Sequence, residues 1–430
     1  MKTTPFWWEE AEPEHGETTL DESRCDALIV GAGYTGLSAA ITLAEAGAGK
    51  VIVIDSMRIG EGASSRNGGQ TGNTAKFSLE TAQRKFGDKL AREIMDDYGQ
   101  AQAFLIDRGK TLADDFDFQM CGSITAIYGT RALKRLRAGH EAMSAEDRRK
   151  VRFLDKSELP SVLKSDLYKG ALVRDGYGSL HPAKYVRALA RRAVALGVRI
   201  FTPYQYVSAR KAAGGFVADI RSASGERREI EATRILLAVN GYGGKRMKWL
   251  RDRVIPVQSY MIATEPLPFG DLETLMPENR MCFDSKHVLY YFRRSPDGTR
   301  ILFGGRAKFS DIDAETSAHL LRDYMISVFP SLADVEITHS WLGNVCFAMD
   351  FMSHAGTTPD GLHYSTCCNG NGISMSTYMG HRIAEAMLEK PGAVRGVVNV
   401  DPPRIPFYGG TPWFLPIVGR WYHARDKYLS

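Results

Sequence analysis

The hydrophobic pattern near the start of the chain predicts a strand, a helix and a second strand. Residues 25–30 (CDALIV) form a short apolar run, which is long enough for a buried parallel strand. Apolar residues between Leu37 and Ala44 then recur at the spacing of one helix face. A second apolar run, VIVI at 51–54, follows. This order predicts a βαβ unit of roughly thirty residues.

The rest of the chain alternates between helical and extended patterns. Helical spacing predicts helices over 78–113, 131–153 and 183–197, and the charges of the second indicate a solvated face. The segment 61–76, rich in Gly, Ser and Asn, is predicted to be a loop. Strands are predicted over 198–202, 216–220, 228–232 and 235–239. Residues 254–345 are predicted to form an antiparallel sheet in which 290–293 and 301–305 are neighbouring strands. A last strand is predicted over 361–366, followed by a helix that reaches about 388.

Composition is that of an ordinary globular protein and excludes few functions. The 430 residues suffice for two domains, and 44% are hydrophobic. The excess of 55 basic over 50 acidic residues is small and spread along the chain, so no nucleic-acid partner is expected. No apolar run reaches the ~18 residues of a transmembrane helix, and residues 1–23 do not resemble a secretory signal. Six scattered cysteines without a CxxC pair predict a reduced, cytoplasmic protein, and no metal site is expected.

The sequence GAGYTG at 31–36 joins the first predicted strand to its helix. Gly31 permits the tight turn, Gly33 lets the backbone approach a pyrophosphate, and Gly36 lets helix and strand pack closely. The N–H groups and the dipole of the helix start favour phosphates. Asp55, 19 residues after Gly36, is positioned to bind ribose hydroxyls. Together these features favour a dinucleotide site, for NAD or FAD, over a glycine turn in an ordinary α/β protein.

Several segments resemble the D-amino acid oxidase superfamily of FAD-dependent amine oxidoreductases, which includes glycine oxidase, sarcosine oxidase and γ-glutamylputrescine oxidase. The similarity extends from about residue 5 to the C-terminal aromatic segment, and GASSRNGGQ at 62–70 is its most specific match. The other similar segments are PFWWEEAEP at 5–13, GYGSLHPAKYVRALA at 176–190, LLAVNGYGG at 236–244, VIPVQSYMIATEPLP at 254–268 and ILFGGR at 301–306.

The resemblance implies an α/β fold with an FAD-binding Rossmann-like domain of the glutathione-reductase type and a discontinuous antiparallel-sheet substrate domain. Residues 22–110, 170–250 and 340–430 would form the FAD-binding domain, and 111–169 and 251–339 the substrate domain. The resemblance also favours FAD over NAD. Cys346 lies near the cysteine that holds flavin covalently in sarcosine oxidases but does not align with it. Non-covalent FAD is therefore expected.

Two segments are expected near the flavin ring. The loop at 62–70 crosses the ring in this family, and its small residues suit close passage past a flat surface. The turn CCNGNGI at 367–373 opens a helix whose N-terminus would favour the anionic reduced flavin. Val207 resembles the residue whose backbone flanks the adenine. The expected cofactor-binding residues are Gly31, Gly33, Tyr34, Thr35, Gly36, Asp55, Ser56, Gly62, Ala63, Ser64, Ser65, Arg66, Asn67, Gly68, Gly69, Gln70, Val207, Asn240, Gly241, Gly370, Asn371, Gly372 and Ile373.

The resemblance implies a substrate cavity lined by the strand at 290–293. Alternate residues of a strand face one way, so Tyr291 and Arg293 are expected to point together. Arg293 or Arg306 would bind an acidic group of the substrate, because Arg suits carboxylates and phosphates. The candidate catalytic residues are Tyr291, Arg293, Arg306 and Arg66.

Four positions depart from the family pattern. Leu302 and Ser374 stand where sarcosine oxidases have lysines that act on oxygen and on the substrate carboxylate. Arg306 and Asn371 stand where relatives have histidines. Sarcosine is therefore not the expected substrate.

The resemblance implies that an amine loses a hydride from its α-carbon to flavin N5 and that the imine then hydrolyses. The expected substrate is a secondary amine or N-substituted amino compound, an aminoalkyl molecule with an anionic group, and the electron acceptor is oxygen, a quinone or another acceptor. One alternative is a D-amino acid dehydrogenase that reduces a quinone, since the aromatic segment 413–422 suits either a membrane surface or, preferably, its own domain. The others are an NAD(P)H-dependent flavin hydroxylase and a protein that retains FAD without turnover.

Overall fold

The computed structural model describes residues 1–72, 75–244, 247–306, 308–309 and 311–428, so Asn73 and Thr74 of the predicted loop lie outside the described residues. The strands are β1 Arg24–Val30, β2 Val51–Ile54, β3 Gln70–Thr71, β4 Ser123–Ala126, β5 Val151–Asp155, β6 Gly170–Arg174, β7 Gly178–Ser179, β8 Arg199–Phe201, β9 Tyr204–Ala212, β10 Gly215–Ser222, β11 Arg227–Leu237, β12 Ile255–Thr264, β13 Met281–Asp284, β14 Tyr290–Arg294, β15 Ile301–Gly305, β16 Ile337–Phe347, β17 His354–Thr357 and β18 His363–Thr366. The helices are α1 Tyr34–Glu45, α2 Leu79–Phe86, α3 Asp88–Gly109, α4 Thr130–Glu141, α5 Ala145–Lys150, α6 Pro182–Ala195, α7 Lys248–Arg251, α8 Asp271–Leu275, α9 Ala314–Val328, α10 Gly372–Met387 and α11 Leu415–Tyr428.

The first sheet has a parallel centre, with the strand order β17-β18-β11-β1-β2-β8. β1 pairs in parallel with both β11 and β2, which confirms the βαβ unit at the N-terminal end. All four residues of β2 are buried, as expected for a parallel strand covered on both faces. Helices α1, α3, α6 and α10 contribute to a shared hydrophobic core with these strands.

The predicted strands 228–232 and 235–239 prove to be a single strand, β11. Its first half pairs antiparallel with β10, and its second half pairs in parallel with β1. The exposed and buried residues alternate in the hairpin half, whereas Ile235, Leu236 and Leu237 are all buried. The change of neighbours therefore produced the two patterns that indicated separate strands.

Two predicted helices also differ from the structure. The helix predicted over 78–113 is divided at Gly87, whose φ of +75° belongs to the left-handed region. The helix predicted over 131–153 ends earlier, because residues from Val151 onward form β5, which pairs with β6. The charged side chains of α4 and α5 leave both helices without a buried residue, as the solvated-face prediction required.

The second sheet has the order β16-β12-β15-β14-β13-β4-β6-β5 and is antiparallel except between β13 and β4. β14 and β15 are neighbours, which confirms the pairing predicted for 290–293 and 301–305. One face packs under α9, where the rings of Phe292 and Phe303 stack with their centres 5.5 Å apart. β6 and β16 both belong to this sheet, so its strands extend to Arg174 in the first half of the chain and to Phe347 in the second.

The two sheets leave a cavity between them. Val30, Asp55 and Ala238 line it from the carboxyl ends of β1, β2 and β11, where open α/β sheets bind their ligands. Ser259 and Tyr291 line it from the second sheet. In the part of the chain that the structure describes, no helix has the length and apolar character needed to cross a membrane.

Candidate active site

A cavity of about 850 Å³ contains most of the residues expected to form a site. Those that line it are Gly31, Gly33, Tyr34, Thr35, Asp55, Ser56, Gly62, Ala63, Ser64, Arg66, Asn67, Gly68, Gln70, Asn240, Tyr291, Arg306, Gly370, Asn371, Gly372 and Ile373. Those that do not are Gly36, Ser65, Gly69, Val207, Gly241 and Arg293. Gln205 and Tyr206, immediately before Val207, line the cavity instead.

The glycine turn after β1 has no room for side chains. A Cβ at Gly31 would lie 2.5 Å from the carbonyl oxygen of Ala238, and its φ of +114° disfavours other residues. A Cβ at Gly36 would overlap the carbonyl oxygen of Gly31. Gly33 is the N-cap of α1 and provides no side-chain hydrogen bond. The first N–H groups of a helix lack intrahelical acceptors, so this end of α1 suits an anionic group such as a diphosphate.

Asp55 ties this turn to the end of β2. Its carboxylate accepts hydrogen bonds from the N–H of Ala32 at 2.8 Å and from the N–H of Met57 at 2.9 Å. Burial raises the pKa of Asp55 to about 6. A carboxylate has about four acceptor positions, so Asp55 retains capacity for hydroxyl donors from the cavity that it lines.

Tryptophan side chains from distant parts of the sequence hold the loop at 62–70. The sequence did not predict that these tryptophans hold the loop, although two adjacent tryptophans in the PFWWEEAEP segment indicate that the segment makes a specific contact. Three indole Nε1–H groups bond to the loop: Trp7 to the Asn67 carbonyl at 2.8 Å, Trp8 to Ser65 Oγ at 3.0 Å, and Trp341 to the Arg66 carbonyl at 2.7 Å. Fixed acceptors on three successive residues leave the loop little freedom to move.

Arg293 holds the end of the same loop. Its Nη1 donates to the carbonyls of Gly69 at 3.0 Å and Leu180 at 2.9 Å, and burial lowers the pKa of its guanidinium to about 10. Arg293 and Tyr291 do share one face of β14, since Tyr291 contacts Gly68 while Arg293 bonds to Gly69. Arg293 nevertheless does not line the cavity, and its guanidinium is used on the carbonyls of Gly69 and Leu180.

Arg66, the fourth candidate catalytic residue, lines the cavity and is itself held in place. Its Nε donates to the Glu61 carbonyl at 2.7 Å, and its guanidinium lies 4.6 Å from the centre of the Trp8 ring. Burial lowers the pKa of Arg66.

Tyr291 occupies a space formed by two glycines. Its hydroxyl lies 3.0 Å from Ser259 Oγ, and a Cβ at Gly68 would lie 3.1 Å from its ring. A Cβ at Gly304, on the neighbouring strand, would overlap the ring. Burial raises the pKa of Tyr291, so the residue is a neutral phenol that can donate a hydrogen bond at neutral pH.

Two cations meet in the cavity beside Phe347. The guanidinium of Arg306 lies 4.7 Å from the centre of the Phe347 ring, and Lys76 Nζ lies 5.3 Å from it. Burial lowers the pKa of both groups, to about 8 for Lys76, where the charge of Arg306 adds to the effect. Within the described residues neither cation has an acidic partner. Lys76 was not predicted, because it follows the matched loop and stands alone in a polar segment.

The turn before α10 presents an unused hydrogen-bond donor. Asn369 stabilises the turn, since its Oδ1 accepts from the Ala348 N–H at 3.1 Å and its Nδ2 donates to the Met352 carbonyl at 2.6 Å. Asn371 lines the cavity, and its buried Nδ2 has no acceptor among the described residues. A ligand acceptor at this helix N-terminus would satisfy that amide.

The family model described as "FAD dependent oxidoreductase" (DAO) matches residues 26–386 of this sequence. The chain belongs to this family. Its relatives include a probable oxidoreductase OrdL of Rhizobium meliloti, which is 32% identical over 98% of this chain and 97% of the relative. The γ-glutamylputrescine oxidoreductase of Escherichia coli is 29% identical over 95% of each chain.

Solved structures show the same fold as this FAD-dependent oxidoreductase. The glycine oxidase of Geobacillus kaustophilus superposes with a TM-score of 0.70 at 20% identity, covering 89% of this chain and 99% of that one. The iminodiacetate oxidase of Chelativorans superposes with a TM-score of 0.65 at 21% identity, covering 85% of this chain and 96% of that one. The expected α/β fold is thus supported by both sequence and structure, and the family model supports FAD-dependent oxidoreductase activity.

Proposed function

We propose that this family member oxidises a secondary amine or an N-substituted amino compound that carries an anionic group. The observation that supports this substrate class is the pair Arg306 and Lys76, two cavity cations without an acidic partner in the described part of the chain. Two cations beside one ring in a cavity, with no carboxylate between them among the described residues, favour an anionic ligand, because Arg and Lys bind carboxylates and phosphates. The name of the γ-glutamylputrescine relative also suggests an aminoalkyl substrate.

The cavity residues fit FAD. The glycine turn and the start of α1 would hold the diphosphate, Asp55 would accept ribose hydroxyls, and the unused Nδ2 of Asn371 would donate to the ring system. We propose that FAD is held without a covalent bond. Cys346 is fully buried, lies 3.5 Å from the sulfur of Cys367 and does not line the cavity.

FAD supplies the acceptor for the hydride that leaves the α-carbon of the amine. As the C–H bond breaks, the nitrogen lone pair forms the C=N bond, and water later converts the imine to a carbonyl compound and an amine. Tyr291 orients the substrate by donating a hydrogen bond from its hydroxyl group to a polar atom of the substrate. Arg306 and Lys76 bind the anionic end. The loop at 62–70, held by Trp7, Trp8 and Trp341, keeps a rigid wall beside the reacting atoms.

No strong base is required by this scheme. Among the described residues that line the cavity, Asp55 has the one carboxyl group and His287 the one imidazole. Asp55 is bonded to the glycine turn, and His287 bonds to Asp426. We therefore propose that the substrate amine binds in its neutral form, which leaves its lone pair free for imine formation.

Anaerobic bleaching of the flavin absorbance tests the proposal directly. An N-alkylaminoalkyl carboxylate should bleach the flavin, whereas the matching carboxamide should react with a kcat/KM lower by about tenfold or more. NADPH should not bleach it. Bleaching by NADPH with no response to any amine would favour the hydroxylase and contradict the proposal, and a colourless protein would exclude FAD.

The electron acceptor requires a separate measurement. Peroxide formation in air would identify an oxidase. Turnover that depends on an added quinone, without peroxide, would identify a dehydrogenase. Acid precipitation tests the non-covalent mode, because free FAD should remain in the supernatant.

A further inference from the structure

Helix α11 is attached to the protein by one of its faces. Gly419 packs against Phe309 so closely that an added Cβ would touch the ring at 2.5 Å. The Tyr422 ring stacks on His287 with the ring centres 5.4 Å apart. Asp426 accepts hydrogen bonds from the backbone N–H of His287 at 2.9 Å and of Val288 at 2.8 Å. Tyr422 and His287 both line the cavity, so α11 is part of its wall.

The opposite face of α11 carries large apolar side chains that are exposed. Ile417 and Trp421 are 63% and 54% exposed, and Tyr428 is 72% exposed. Trp413, just before the helix, is 62% exposed. Trp421 follows Ile417 by four residues and Tyr428 follows Trp421 by seven, so the three residues lie on one side of the helix. We call Trp413, Ile417, Trp421 and Tyr428 the aromatic stripe.

The charges beside the aromatic stripe are positive. Arg420 and Lys427 are exposed, and the guanidinium of Arg425 lies 5.1 Å from the centre of the Trp421 ring. Asp426, the one acidic residue in the sequence of α11, bonds toward the protein body. The outer face of the helix therefore combines aromatic residues with basic ones.

We propose that the aromatic stripe docks this protein on the surface of an anionic lipid bilayer. Tryptophan and tyrosine favour the interface between lipid and water, and basic residues beside them add attraction to anionic headgroups. A second copy of the chain is a poorer occupant. In a two-fold contact the same basic residues of both copies would enter one interface, and like charges repel.

The structure also connects docking with the cavity. Because Tyr422 lines the cavity from the inner face of α11, docking of the outer face brings the cavity wall to the membrane surface. This proposal does not depend on the identity of the substrate, and binding can be measured without turnover.

Flotation of the FAD-loaded full chain with vesicles tests the proposal. Vesicles of phosphatidylcholine with phosphatidylglycerol should retain the protein, and vesicles of phosphatidylcholine alone should retain about tenfold less. I417S/W421S should reduce retention on the anionic vesicles by about tenfold or more, because it removes the apolar contact. R420E/K427E should reduce it similarly and abolish its dependence on salt.

Phe269→Ser is the matched control, since Phe269 is fully exposed and belongs to a loop remote in sequence from α11. It should leave retention unchanged. All variants change exposed residues, and an intact flavin spectrum would verify that each has folded. Equal retention of the parent and both double variants would overturn the proposal. So would equal retention by both kinds of vesicle, or dimerisation without lipid that I417S/W421S abolishes.

Discussion

The indole of Trp7 donates its N–H to the carbonyl of Asn67 at 2.8 Å, across 60 residues of sequence. Trp7 is fully buried, so the carbonyl has little access to water as an alternative donor. Trp8 and Trp341 bond to the two preceding residues of the same loop. The N-terminal segment and the loop at 62–70, which matched the family as separate motifs, therefore form one structural unit.

Trp7→Phe should weaken FAD binding while preserving the fold. The substitution keeps an aromatic ring but leaves the Asn67 carbonyl without its donor, at a cost of about 1–3 kcal/mol. We expect a lower melting temperature and a dissociation constant for FAD that rises by about tenfold, measured by flavin fluorescence. Trp421→Phe is the control, because Trp421 is exposed and makes no contact with the loop. Unchanged FAD affinity in W7F would contradict the positioning role.

Gly68→Ala should impair catalysis by displacing Tyr291. The added Cβ would lie 3.1 Å from the tyrosine ring, which also contacts Gly304. A contact this short should displace the ring, and its hydroxyl should lose the 3.0 Å contact with Ser259. We expect kcat/KM to fall by about tenfold or more with FAD still bound.

Gly139→Ala gives the matched control for Gly68→Ala. Gly139 lies within α4 with open space around its Cβ position. Alanine should stabilise the helix there by about 0.5–1 kcal/mol and leave kinetics unchanged. A Gly68→Ala enzyme with parental kcat/KM would show that Tyr291 does not orient the substrate.

Much of the first sheet could be predicted from the sequence because its signals are local. The apolar runs at 25–30 and 51–54 and the glycines between them lie within one βαβ unit, and the structure reproduces them within a residue. Hydrophobic periodicity reports which face of an element is buried but does not identify its neighbour. For this reason β11 was predicted as two strands. Arg293 was expected in the cavity because the family resemblance places its strand there, and its bond to the carbonyl of Gly69, 224 residues away in sequence, has no local signal.

Asp55→Asn should weaken FAD binding and reduce the change of the unfolding free energy between about pH 4 and 6. The amide presents an N–H₂ group where Asp55 accepts from Ala32 or Met57, so one buried donor loses its partner. Burial raises the pKa of Asp55 to about 6, whereas an unfolded aspartate titrates near 4. Between about pH 4 and 6 the folded chain therefore holds a proton that the unfolded chain releases. The contribution of Asp55 to the free energy of unfolding is present below pH 4 and is lost as the pH rises toward 6.

Asp284→Asn is the matched control for Asp55. Asp284 is buried, its pKa is also raised to about 6 by burial, and it does not line the cavity. Both variants should show a smaller change of unfolding free energy between pH 4 and 6, and Asp55→Asn alone should raise the dissociation constant for FAD. Equal FAD affinity in the two variants would remove Asp55 from the cofactor site.

Arg306→Met and Lys76→Met should each reduce discrimination in favour of anionic substrates. The informative quantity is the ratio of kcat/KM for an aminoalkyl carboxylate to that for its carboxamide, because the shared amine chemistry cancels. We expect each substitution to lower this ratio by about tenfold or more, since each removes a charge-assisted contact. Arg306→Lys should restore part of it, because the positive charge returns without the bidentate geometry.

The pH dependence of that ratio separates Lys76 from Arg306. Burial and the charge of Arg306 lower the pKa of Lys76 to about 8, so its positive charge is present below pH 8 and is lost as the pH rises above it. The ratio for the parent enzyme should therefore fall between about pH 7 and 9. It should still fall in Arg306→Met, at a somewhat higher pH because the neighbouring charge is gone, and should stay level in Lys76→Met. A level ratio in the parent enzyme would mean that Lys76 does not contact the anionic group, even if Arg306 does.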